Sequence, residues 1–291
     1  EDHGRGIPVD YNENEKRYNW ELVFCELYAG GKYNNNEGES YEFSLGMNGL
    51  GLCSTQYSSE YMDVDIRRDG YRYTLRFEKG EIVGKLKKEP YSKKDTGTKI
   101  HWKPDLEVFT DIDIQPEYFL DIMKRQAIVN AGVEFVFRNQ NGKSFDTTTY
   151  CYVNGIEDHV AEVIGENGFT SVQHWTTEVK TRDRDDKCKI DVAVAFSNQT
   201  RLTEYYHNSS WLEHGGAPDK AVRTAFLYQI DNYLKTNNKY NKSESKIKFD
   251  DIEDCLVCVI SSFSSVSSYE NQTKKSVTNK GIQDAMTAFL K

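Results

Sequence analysis

Apolar residues Trp20, Val23, Phe24 and Leu27 recur at helical spacing. They predict a helix from Asn19 to Tyr28, with Asn19 as its N-cap and Gly30-Gly31 ending it. Apolar and polar positions then alternate from Tyr61 to Arg67 and again from Tyr71 to Phe77 around Asp69-Gly70, the pattern of a β-hairpin. Shorter runs predict strands at Ile82 to Leu86, Thr98 to Trp102 and Val133 to Arg138. Pro116 followed by Phe119, Ile122, Met123 and Ala127 on one face predicts a helix closed by Gly132. A short helix is expected near Ile156 to Ile164. Downstream, the pattern predicts a strand at Ile190 to Phe196, a helix at Pro218 to Leu234 and a buried strand at Leu256 to Ile260. Ile282, Ala285, Met286, Phe289 and Leu290 complete a final amphipathic helix. The polar stretch Gly165-Glu166-Asn167-Gly168 is the expected boundary between two domains, 1–166 and 167–291. Both are expected to be α+β.

The composition suits such cores. The chain has 291 residues, a formal net charge of −9, 37% hydrophobic and 13% aromatic residues, enough for one large or two ordinary globular domains. No run of about 18 apolar residues occurs and the acidic start lacks signal-peptide character. These features predict a cytoplasmic protein with no membrane contact. The acidic balance argues against coating nucleic acid with the whole surface, so any DNA contact is expected to be local. Lys87, Lys88, Lys93 and Lys94 form one candidate basic loop, and the lysines at 235, 239, 242, 246 and 248 another. Solvated faces explain most such runs. The six cysteines fall in core-like segments and read as reduced thiols. Cys255 and Cys258 would point to opposite faces of a strand, so their CxxC spacing reads as packing. The six histidines are dispersed and receive no metal.

Candidate chemistry begins at Ser44-Leu45-Gly46-Met47-Asn48-Gly49-Leu50-Gly51, where glycines let backbone N–H groups approach an anion ahead of a helix N-terminus. Polyphosphate is the natural guest, although such spacing alone also occurs in ordinary turns. Upstream, Glu1-Asp2-His3-Gly4-Arg5-Gly6-Ile7-Pro8 reads as a turn that would follow a strand, as at the edge of a fragment.

In order, Asp2-x-Gly4-Arg5-Gly6-Ile7-Pro8, Leu27-Tyr28-Ala29-Gly30-Gly31-Lys32-Tyr33, Gly46-Met47-Asn48-Gly49-Leu50-Gly51, Thr96-Gly97-Thr98 and Gln272-Thr273-Lys274 resemble the ATPase region of type IIA DNA topoisomerases. The gyrase B and topoisomerase IV B proteins of bacteria look most similar. The resemblance covers essentially the whole chain, Glu213-His214-Gly215-Gly216 included. It implies a two-layer α/β sandwich of the gyrase, Hsp90, histidine kinase and MutL type, followed by a βαβ, ribosomal-protein-like transducer domain.

The resemblance also implies roles. Asp2 would accept a hydrogen bond from the adenine amino group, supported by Thr98, while Gly4 and Gly6 let the purine lie close. Gly46, Met47, Asn48, Gly49, Leu50 and Gly51 would form the phosphate lid, with Lys32 and Tyr41 on its approach. The family usually has histidine at Asn48 and glycine at Leu45. Gln272 and Lys274 would reach the γ-phosphate as catalytic residues, and a lysine point charge suits stabilising its transfer. An inhibitor site is implied around Asp2, Arg5, Pro8, Arg68 and Thr98. The family's general-base glutamate and Mg²⁺-holding asparagine lie upstream of the Asp-Gly-Arg-Gly turn, so the Mg²⁺ ligand is expected before residue 1. The chain by itself is expected to hydrolyse ATP poorly, since a missing base costs on the order of 10²–10⁴ in rate.

The implied activity is an ATP-operated clamp that dimerises and couples ATP hydrolysis to DNA strand passage. A gyrase A or topoisomerase IV A-type protein would be its partner through further domains. The alternatives are an ATP-dependent chaperone, a mismatch-repair-like switch or a kinase of the wider group, and a non-catalytic interaction fragment.

Overall fold

The computed structural model describes residues 1–29, 49–180, 187–243, 245–264 and 267–291. Contacts divide the chain into two compact units between Ile114 and Gln115.

In the first unit, β1 (Tyr11–Asn12) and β2 (Arg17–Tyr18) form a small hairpin ahead of helix α1 (Asn19–Cys25). The helix begins one residue earlier than its sequence suggests. Tyr18 is the N-cap, its N–H donating to Glu21 Oε2 at 2.8 Å. Asn19 is buried instead, accepting from Asn12 Nδ2 at 3.0 Å and donating to Asp10 Oδ2 at 3.2 Å. A buried amide needs both ends bonded, because leaving one buried group unsatisfied costs about 1–3 kcal/mol. Helix α2 (Gly51–Tyr57) follows, and then the hairpin β3 (Ser59–Arg68) and β4 (Tyr71–Glu78), paired in register as their alternation predicts. Only β5 (Glu81–Ile82) forms from the run expected at Ile82 to Leu86, because Gly84 turns with φ of +81° and β6 (Lys87–Pro90) resumes pairing with β4. Lys87 and Lys88 thus stand on an edge strand, not in a loop. Strand β7 (Gly97–Pro104) pairs with β3 and completes the order β5-β4-β3-β7.

The period of two sends Met62, Val64 and Ile66 of β3 to one face, where they meet Phe24 of α1 and Leu75 and Phe77 of β4. Phe24 and Phe77 pack with ring centroids 5.6 Å apart. Each such fully buried side chain contributes about 1.5–3 kcal/mol. Asp63, Asp65, Arg72 and Arg76 occupy the opposite face and pair with one another. The result is the two-layer sandwich that the resemblance implies.

The second unit starts with α3 (Pro116–Val129), the exposed hairpin β8 (Phe135–Asn141) and β9 (Ser144–Tyr150), and α4 (Ile156–Ile164). Strands β10 (Gln173–Lys180), β11 (Lys187–Phe196), β12 (Leu202–His207) and β13 (Ser210–Trp211) follow. Helices α5 (Ala217–Thr236) and α6 (Phe249–Glu253), strand β14 (Leu256–Ser264) and helix α7 (Lys280–Leu290) complete the chain. The sheet order is β10-β11-β14-β12-β13, with β12 and β14 parallel across the α5–α6 crossover, a βαβ unit.

Strand β14 is the centre of this sheet and is buried on both faces. Leu256, Cys258 and Ile260 face the core beneath α5, α6 and α7, while Val257 and Val259 face α3 and α4. Helix α4 therefore belongs to the second unit's core, through Ile156, Val160 and Ile164 against Ala193 and Val257. The boundary expected at 166/167 falls inside this unit, on the turn that joins α4 to the sheet it covers. On that same face His159 Nε2 lies 3.1 Å from Glu204 Oε2, which also accepts from the Tyr206 hydroxyl at 3.1 Å.

Candidate functional site

The first group of candidate residues gathers where the chain start runs beside β7. Asp2 N–H donates to the Thr98 carbonyl at 2.8 Å. In return, Asp2 Oδ1 accepts from Thr98 N–H at 3.3 Å and from Gly4 N–H at 2.8 Å. The carboxylate is thus oriented by backbone donors while the residue stays exposed. Thr98 is 5% exposed, and its Oγ1 accepts from Ile7 N–H at 3.2 Å, leaving the hydroxyl proton to donate. Glu1 is pinned alongside by Arg67, which bridges it at 2.9 Å and Asp95 at 2.8 Å.

Two glycines make this approach possible. A Cβ on Gly97, whose φ is +145°, would lie 2.0 Å from the Asp2 carbonyl oxygen. One on Gly6, with φ of +80°, would lie 2.9 Å from the Arg67 carbonyl oxygen. Only glycine fits either place without displacing backbone. Arg68 Nη1 donates to the Gly6 carbonyl at 3.3 Å and its Nε to Asp69. Its side chain also lines a cavity of about 710 Å³ with Val9, Trp20, Tyr73 and Leu86. Asp2 and Thr98 are not among that cavity's lining residues. Pro8 is half-buried and Arg5 exposed.

Of the expected lid, Lys32, Tyr41, Gly46, Met47 and Asn48 lie outside the described residues, as does the helix end at Gly30-Gly31. Gly49 has φ of +59°, Leu50 is the N-cap and Gly51 opens α2 with open space at its Cβ position. The first-turn N–H groups of such a helix have no partner within it.

Gln272 and Lys274 belong to the second unit, on the loop between β14 and α7. Tyr269 and Val277 close that loop as an antiparallel bridge, and Val277 also pairs with Gly216 in parallel. A Cβ on Gly216, at φ of +92°, would lie 2.3 Å from the Val277 carbonyl oxygen. His214 N–H donates to the Lys275 carbonyl at 2.9 Å, and Lys275 pairs with Glu213 at 2.5 Å. Glu213-His214-Gly215-Gly216 is thus the seat of the Gln272–Lys274 loop. Lys274 itself has φ of +57° and sits half-buried with its Nζ 5.7 Å from the Tyr269 ring centroid. Burial holds its pKa below the ordinary lysine value.

Sequence reading missed Arg67, Tyr269 and His207. Gly97 stood inside the quoted Thr96-Gly97-Thr98 motif, but its demand for a missing Cβ becomes visible only against Asp2.

The two-layer first unit and the βαβ second unit have the fold of the solved gyrase-type ATPase regions. A sequence model of the DNA gyrase B family matches residues 155–291. The DNA gyrase B protein of Mycoplasma genitalium is 31% identical over 302 residues, covering 100% of this chain and 45% of that protein. Its counterpart in Thermotoga maritima is 28% identical over 302 residues with the same coverage. Among solved structures, the topoisomerase IV ATP-binding domain of Francisella tularensis, in complex with a small-molecule inhibitor, shares the fold. It superposes with a TM-score of 0.71 at 21% identity, over 99% of this chain and 74% of that one. Over 96% or more of its length the chain is similar to DNA gyrase B and topoisomerase IV B proteins. It spans just under half the length of the curated relatives it matches.

Proposed function

We propose that this chain is the ATP-binding, dimerising clamp of a type II DNA topoisomerase that couples ATP hydrolysis to strand passage, supercoiling or decatenation. The observation that carries it is the Asp2 carboxylate, fixed by Gly4 and Thr98 N–H groups and open on its other side. A fixed acceptor there takes the amino group of adenine and rejects guanine, which presents a carbonyl. The free hydroxyl proton of Thr98 supports the same edge of the base. Gly49, Leu50 and Gly51 offer N–H groups to the phosphates, with Gly46, Met47 and Asn48 continuing that cradle. Lys274 supplies positive charge to the γ-phosphate as negative charge develops during transfer, and Gln272 orients it.

Mg²⁺ is the expected companion of the nucleotide. Among the described residues no group of three or more His, Cys, Asp or Glu side chains could hold a metal. An inhibitor that competes with ATP would engage Asp2, Thr98 and Pro8 and extend toward Arg5 and Arg68. DNA and a gyrase A or topoisomerase IV A-type protein are the proposed partners of the full-length protein, and the cytoplasm its location. Among the described residues no helix is long and apolar enough to cross a membrane.

The test is ATP-dependent strand passage by the full-length protein with its A-type partner. Lys274→Ala should abolish ATP-dependent supercoiling or decatenation. Undiminished ATP-driven strand passage would overturn the reading.

A further inference from the structure

Lys274 carries a flexible four-carbon side chain from a backbone in the left-handed region. Such a side chain loses about 2 kcal/mol of rotamer entropy when fixed, so something must hold its ammonium for repeated phosphate contact. Tyr269 places an aromatic ring in its reach, with the centroid 5.7 Å from Nζ. That ring is itself fixed. Its hydroxyl donates to the His207 carbonyl at 3.1 Å, and its ring packs against the His207 imidazole with centroids 5.9 Å apart and planes at 61°. His207 is fully buried at the end of β12, with Nδ1 2.8 Å from the Ser262 hydroxyl and Nε2 2.7 Å from that of Ser267. Ser262 belongs to β14, so the parallel β12–β14 pair holds the imidazole.

We infer that Tyr269, braced by His207, is a positioning residue for Lys274, its ring holding the ammonium in place for the γ-phosphate. The inference rests on the reading of Lys274 given above. An aromatic face attracts a cation through its quadrupole, and partial burial strengthens that attraction over its value in water. The contrasting role is a ring that only fills space under the loop. The two differ in what can replace it. A space-filler is served by leucine or methionine as well as by phenylalanine, whereas a cation-holding surface is served by phenylalanine alone.

The experiment is steady-state ATP turnover by the full-length protein carrying Y269F, Y269L, Y269M, K274A and the double variant Y269L/K274A. Thermal melts of each variant accompany the kinetics. Y269F is expected within threefold of the parent, since the ring remains. Y269L and Y269M should each lower kcat roughly tenfold, in the range of a partly desolvated cation–π contact, with KM within about twofold because Asp2 and Thr98 are unaltered. K274A should lose at least 100-fold, and Y269L/K274A no more than K274A alone. Equal kcat values for Y269F and Y269L, or an additive loss in the double variant, would overturn the inference. Turnover unchanged in K274A would instead overturn the underlying role of Lys274. Two aliphatic replacements are included so that poor folding of one leaves the other to decide.

Discussion

The base corner and the Lys274 loop solve the same problem, holding one charged side chain at a fixed place, by different means. At Asp2 the carboxylate is oriented by backbone N–H groups from residues two and ninety-six positions away, and the residue stays exposed. At Lys274 the orientation comes from side chains and strands: Tyr269, His207 and the Gly216–Val277 pairing. Both need a missing Cβ, at Gly97 in the corner and at Gly216 under the loop, but the loop adds an aromatic ring beside its charge. A corner built from backbone leaves two short sequence motifs, Asp2 to Pro8 and Thr96 to Thr98. A mount built from side chains far apart along the chain leaves none.

The largest expected effects come from adding a Cβ at the two closest approaches. Gly97→Ala and Gly216→Ala should each destabilise their own unit, by on the order of 3 kcal/mol, since each adds a clash with backbone at a positive φ. Differential scanning calorimetry of the two variants reads this directly. A melting temperature within about 1 °C of the parent in either variant would break that half of the comparison.

Acid should act mainly on the second unit. Burial of Glu204 works to raise its pKa, but the His159 hydrogen bond and charge, the Tyr206 hydroxyl and Arg125 outweigh it and hold the carboxyl below its ordinary value of 4.5. The folded state therefore binds this proton less readily than the unfolded chain. The stabilisation is fully present above the ordinary value and is lost as the pH falls through the lower folded one. Glu204→Gln should cost roughly 1–3 kcal/mol near neutrality and make the melting temperature less sensitive to acid below about pH 5. An unchanged acid dependence would remove Glu204 as its source.

The smallest effect sharpens the contrast between holding and stabilising. Burial depresses the Lys274 pKa, so the charged lysine is disfavoured by the fold at neutral pH. Lys274→Met is expected to leave stability unchanged or raise it by less than about 1 kcal/mol while eliminating strand passage. A marked loss of stability would mean that Lys274 serves the fold first.

Period and turn chemistry exposed much of this in the sequence. The β3–β4 hairpin followed from alternation around Asp69-Gly70, and α3, α4, α5 and α7 from apolar spacing at about 3.6 residues per turn. What stayed hidden depends on partners distant along the chain. Strand β9 reads Ser-Phe-Asp-Thr-Thr-Thr-Tyr, is largely exposed and carries no buried alternation to mark it. Asn19 looked like a cap because its bonds to Asn12 and Asp10 exist only once the β1–β2 hairpin has formed. The division at Ile114 was invisible because α4's apolar stripe does not say which sheet it covers. Asp2, Gly4, Gly6 and Thr98 were legible through their motif, whereas Tyr269 and His207 are two ordinary core residues until the loop is folded over them.

Calorimetric titration of a non-hydrolysable ATP analogue with Mg²⁺ into the full-length protein and its Asp2→Asn variant tests the central claim most directly. Saturable binding in the parent, weakened at least tenfold by Asp2→Asn at unchanged melting temperature, is the predicted result. Equal affinity in the two proteins would contradict the assignment of the Asp2–Thr98 corner as the adenine site.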